Sequence, residues 1–68
     1  MSEGFLERLK RHRKARKFSQ ERLAEAIGIS HSAYRRYESG ERDMPLTVAV
    51  RLADLFQVSL DELAGRKG

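Results

Sequence analysis

The stretch Ser19-Gln20-Glu21-Arg22-Leu23-Ala24-Glu25-Ala26-Ile27-Gly28-Ile29-Ser30-His31-Ser32-Ala33-Tyr34-Arg35-Arg36-Tyr37-Glu38-Ser39-Gly40 decides the fold. It divides at Gly28-Ile29-Ser30 into two short segments, each with helical spacing of its apolar residues. Ser19 and Ser30 stand directly before those segments, where a hydroxyl accepts from an orphan N–H of a helix's first turn. An apolar residue precedes each cap and another follows five residues later, Phe18 with Leu23 and Ile29 with Tyr34. That is the spacing of a hydrophobic staple. Gly28 and Gly40 fall where a helix end needs positive φ. Two short helices, 20–27 and 31–39, joined by a three-residue turn containing glycine, make a helix-turn-helix signature.

The same punctuation extends to both sides. Ser59 is a third N-cap, with Val58 and Leu63 as its staple and Glu62 placed to complete a capping box. Pro45 suits the first position of a helix, where a missing N–H costs nothing. Further helices are predicted over 3–16, 45–56 and 60–64. Little β-branched alternation, internal repeat or low-complexity sequence occurs. The expected fold is all-α, a compact five-helix bundle forming one domain over 1–68 with an ordered core of about 5–64.

The 68 residues are 40% hydrophobic and 35% charged, enough apolar material for one small core. The absence of cysteine excludes disulfides, thiol nucleophiles and cysteine-ligated zinc. His12 and His31 are far apart and match no helical metal pair, so no metal or cofactor is implied. No nucleophile elbow or phosphate loop occurs, which argues against an enzyme. No apolar run is long enough to cross a membrane, and no h-region of a signal peptide follows Met1. The first helix needs its apolar face for the core, which argues against membrane-surface binding. A cytoplasmic protein is expected.

Net charge is +4 and the pI about 10.0. The charge is uneven: residues 1–22 carry eight Lys/Arg against three Glu, and the remainder is slightly acidic. A polyanionic partner is implied. On the 31–39 helix, Ala33, Tyr34 and Tyr37 cluster on one side, as core residues should. His31, Ser32, Arg35, Arg36 and Ser39 occupy the other within an arc of about 140°. That second face is hydrogen-bonding or cationic throughout. A helix entering a DNA major groove needs such a face: arginine for guanine edges and small hydroxyls for close approach.

With Leu9 and Arg13 before it, and Pro45, Leu52-Ala53 and Val58-Ser59-Leu60-Asp61-Glu62-Leu63 after it, the motif resembles the phage-repressor/Cro-type (XRE-like) helix-turn-helix DNA-binding domain. The resemblance spans about Phe5 to Leu63 and implies a lambda-repressor-like fold. It implies base reading by His31, Ser32 and Arg36, with Arg35 at the edge. It implies a phosphate contact from Gln20, beside the N-terminal amides of the 20–27 helix. Arg16 and Lys17 lie near that helix start and are further phosphate candidates, as are Ser39 and Arg42. Glu41 and Asp43 weaken the loop around Arg42 for this purpose.

The apolar stripe Phe5, Leu6, Leu9 continues at helical spacing into His12, Arg13 and Arg16. Arg13 is therefore directed inward and needs a carboxylate. Glu38, at the edge of the apolar face of its helix, is the expected partner, and members of the family often pair these two positions. His12 is expected to be packed. Four residues depart from the family pattern. Tyr34 replaces an aliphatic residue, Lys17 and Gln57 replace glycines after helices, and Arg22 replaces an acidic residue in the first turn.

The resemblance implies a sequence-specific binder of double-stranded DNA that regulates transcription. Repression as a homodimer on an inverted repeat is expected, because no second domain is visible to sense a ligand. The dimer surface is expected from the end of the 45–56 helix, the last helix and the C-terminal region, through Leu55, Val58, Leu60 and Leu63. The domain also resembles restriction–modification controllers and antitoxins, which would add a toxin or other protein partner. A protein-binding adaptor on the same fold is the alternative, and the cationic helix face argues against it.

Overall fold

The computed structural model describes residues 3–65. Among them the architecture is all-helical, in the order α1 (Glu3–Ala15), α2 (Gln20–Ile27), α3 (His31–Ser39), α4 (Leu46–Phe56) and α5 (Leu60–Ala64). The three serine caps form as local chemistry dictates. Ser19 Oγ accepts from Arg22 N–H at 3.1 Å, Ser30 Oγ from Ala33 N–H at 3.1 Å, and Ser59 Oγ from Glu62 N–H at 2.9 Å. Phe18, Ile29 and Val58 pack against the core that contains their staple partners Leu23, Tyr34 and Leu63.

Three helices end in the same double-bonded turn. After α2, Gly28 N–H reaches Glu25 O and Ile29 N–H reaches Ala24 O, with Gly28 at φ 76°. Lys17 closes α1 and Gln57 closes α4 by equivalent bonds, at φ 60° and 58°. These are the two places where the family's glycine is missing, and both backbones nevertheless take the left-handed conformation.

Two helix boundaries differ from expectation by one residue. α1 stops at Ala15 because Lys17 has turned left-handed. Pro45 is the N-cap of α4, with extended backbone at φ −61° and ψ 147°. Its carbonyl accepts from Val48 and Ala49 N–H, so the helix proper starts at Leu46. The capping box at α5 is only half formed. Among the described residues, no hydrogen bond joins the Glu62 side chain to the Ser59 N–H.

The core gathers Phe5, Leu9, Leu23, Ala24, Ile27, Tyr34, Met44, Val48, Ala49, Leu52, Ala53, Phe56 and Leu63, drawn from every helix and the loop before α4. Leu63 is completely buried in this core, so it is removed from the expected dimer surface. Val58 and Leu60 are half-buried against it, while Leu55 is exposed. Leu46 and Val50 are the other large exposed apolar side chains among the described residues. No helix among those residues is long and apolar enough to cross a membrane.

Candidate nucleic-acid interface

The site is built on α3. Its inward side is fixed by Tyr34 and Glu38, both buried, and its outward side exposes His31, Ser32, Arg35, Arg36 and Ser39. Among the described residues, no hydrogen bond or ion pair engages the side chains of His31, Ser32, Arg35 or Arg36. Ser39 is different: its hydroxyl donates to the Arg36 carbonyl at 3.1 Å and closes the helix end. Arg42 is exposed just beyond, its backbone N–H held by Arg36 O at 3.2 Å. Thus Arg35, Arg36 and Arg42 are all exposed, the last tied by its backbone to the end of α3.

The buried Glu38 carboxylate orients this helix. Arg13 of α1 reaches it with both arms of a fork, Nε to Oε2 at 2.8 Å and Nη2 to Oε1 at 3.0 Å. The Tyr34 hydroxyl, one turn back on α3, donates to Oε2. Gln20, the first residue of α2, donates from Nε2 to Oε1 at 3.0 Å. The third arm of Arg13, Nη1, holds the Phe18 carbonyl at 2.8 Å in the turn between α1 and α2. Burial by itself would push Glu38 upward. Hydrogen bonds from Arg13, Tyr34 and Gln20, with the Arg13 charge, outweigh it and hold the carboxyl below its ordinary range. Burial pushes the Tyr34 hydroxyl far upward, and its bond to the ionised Glu38 adds to that, so it stays a donor. Every buried side-chain N or O atom among the described residues has a hydrogen-bond partner.

The structure therefore brings Arg13, Glu38, Tyr34 and Gln20 together. The pair Arg13–Glu38 is the one the sequence predicts; the sequence assigns Gln20 to phosphate alone, and Tyr34 to the core with a hydroxyl that needs solvent or an unnamed partner, which is Glu38. The remaining candidates divide. Lys17 is exposed in the α1–α2 turn. Arg16 instead donates from Nη2 to the Phe56 carbonyl at 2.8 Å, with its guanidinium 4.8 Å from the Phe56 ring centroid. Its Nη1 lies 3.1 Å from both His12 Nδ1 and His12 O. Its contacts are thus made within the protein, one at the C-terminus of α4 and two to His12 of α1. His12 stacks on the same ring at 5.7 Å. A second arginine works similarly: Arg51 Nη1 donates to Ile27 O at 3.2 Å and caps the α2 terminus from α4. Neither helix-end contact carries a sequence signal, because donor and acceptor are far apart in the chain.

Comparison with known proteins agrees with this geometry. A helix-turn-helix family model matches residues 9–63. The cryptic phage CTXphi transcriptional repressor RstR of Vibrio cholerae is 45% identical over 60 residues, which cover 88% of this chain and 54% of that protein. The transcriptional regulator AnsR of Bacillus subtilis is 44% identical over 62 residues, 91% of this chain and 53% of AnsR. The SPbeta prophage-derived regulator YonR of Bacillus subtilis is 37% identical over 59 residues, 87% of this chain and 55% of YonR. The chain spans about half the length of these curated relatives. No solved structure matches it. A motif of two capped helices about a left-handed glycine and a family match across most of the chain lead to one conclusion: it belongs to the helix-turn-helix family, of the phage-repressor type.

Proposed function

We propose that the chain is a sequence-specific double-stranded-DNA-binding regulator of transcription, acting as a repressor. The observation that carries this reading is the outward face of α3. Four side chains able to read base edges, His31, Ser32, Arg35 and Arg36, stand exposed on a helix whose opposite side is locked by buried bonds. α3 lies in the major groove, with Arg36 forked onto a guanine and His31 and Ser32 at neighbouring edges. Gln20, Lys17, Arg42 and the backbone near Ser39 meet phosphates on either side. Arg16 adds charge to that flank while holding α4.

Two copies bind an inverted repeat, with half-sites about 34–36 Å apart. They meet through the end of α4 and α5, where Leu55, Val58 and Leu60 remain at the surface. The repressor RstR, similar over most of this chain, supports repression over activation.

The test is selection from a randomised duplex library at two salt concentrations. A short two-fold-symmetric consensus is expected, and Arg36→Ala should relax one base position at a cost of about 1–3 kcal/mol. A single half-site bound by one copy would remove the dimer. Binding with no enriched sequence, lost as salt rises, would reduce the activity to phosphate attraction and overturn the reading.

A further inference from the structure

We infer that Glu38 is a positioning residue for the phosphate contact of Gln20, with Tyr34 holding the carboxylate for that task; the inference rests on the DNA-binding reading above. A carboxylate only accepts hydrogen bonds, so the Gln20 carboxamide must turn its nitrogen, not its oxygen, toward Glu38 Oε1. A phosphate oxygen also only accepts. The nitrogen has two N–H groups, and one is bound by Glu38. The second is then directed by the plane of the same amide group. Without Glu38 the carboxamide can rotate by half a turn and offer its carbonyl oxygen to the phosphate, which repels it.

The position of Glu38 is itself over-determined. Arg13 holds both oxygens, and Tyr34 holds Oε2 from the same helix, opposite the oxygen that Gln20 uses. Tyr34 is completely buried and Glu38 nearly so, so neither can reach DNA directly. Their influence on binding passes through Gln20. The α3 helix and the first residue of α2 thereby seat on DNA as one piece, and the base-reading face and the phosphate anchor share one buried carboxylate.

The experiment is a double-mutant cycle on binding to the selected duplex, with Gln20→Ala and Glu38→Gln alone and together. Each single substitution should weaken binding about three- to tenfold, equally for matched and mismatched duplexes, as loss of one hydrogen bond does. The double variant should bind no more weakly than the worse single one. The Gln20 side-chain NH2 resonances should also shift in Glu38→Gln without DNA present. Tyr34→Phe keeps the ring and the ion pair and guards against a fold defect. It should give a smaller uniform loss that Gln20→Ala again abolishes. Losses that multiply in both cycles overturn the coupling alone. A wild-type chain that binds no duplex overturns the DNA reading with it.

Discussion

Arg16 closes the C-terminus of α4 from the turn that follows α1: its guanidinium donates to the Phe56 carbonyl at 2.8 Å and lies over the ring of that same residue. One side chain thus satisfies an orphan helix carbonyl and makes a cation–π contact. Arg16→Ala should lower the unfolding free energy by about 1–2 kcal/mol. For a domain of this size that is a fall in Tm of roughly 4–8 °C per kcal/mol. Arg16→Lys should recover only part, because an ammonium lacks the planar fork. Thermal unfolding followed by circular dichroism reads both.

Glu38 makes the fold acid-sensitive. Its folded pKa lies below the ordinary value of 4.5, so its contribution is complete above that value and is lost as pH falls through the lower folded one. Urea midpoints measured downward from about pH 6 should show this loss, and Glu38→Gln should flatten it. Arg13→Ala is the harsher change, since it leaves a buried charge uncompensated. It should cost about 3–5 kcal/mol and leave much of the population unfolded.

His12 gives a second, milder dependence at higher pH. Burial lowers its folded pKa from 6.5, with help from Arg16 and Arg11, while Glu62 opposes. Stability from this group is therefore whole above pH 6.5 and declines as pH drops through the folded value. The urea midpoint should be lower at about pH 5.5 than at 7.5, and His12→Leu should shrink that difference. An unchanged difference would assign it elsewhere.

Gln57 holds φ 58° without being glycine. Gln57→Gly removes the steric cost of a Cβ in the left-handed region, offset in part by greater freedom of the unfolded chain. A net gain of about 0.5 kcal/mol is expected, visible as a higher urea midpoint with an unchanged slope. A loss would mean that the Gln57 side chain contributes more than its backbone costs.

The sequence made local chemistry legible. Serine caps, staples and the Gly28 turn each act within five or six residues, so spacing alone exposed them. Arg13–Glu38 was legible for a different reason: the apolar stripe of the first helix carried a charge inward, and a buried charge demands an opposite one. Contacts without such a demand stayed hidden. Arg16 reaches a carbonyl 40 residues away and Arg51 one 24 residues away, and any backbone carbonyl could have served. Gln20 reads as a phosphate contact alone, because nothing in its neighbours announces Glu38. Pro45 was misplaced by one position, since φ near −61° suits both the cap and the first turn.

The buried carboxylate sets terms for transplanting DNA preference between such proteins. A recognition helix moved in from a relative would bring its own residues at 34 and 38, which would meet a resident Arg13 and Gln20. Exchange confined to positions 31, 32, 35 and 36 leaves the internal grammar intact. Exchange of the entire helix does not, unless the incoming segment carries a carboxylate at 38. If the proposed base-reading role of those four positions holds, base preference in this scaffold is portable as a set of surface letters, while the helix that displays them is bound to its own α1 and α2.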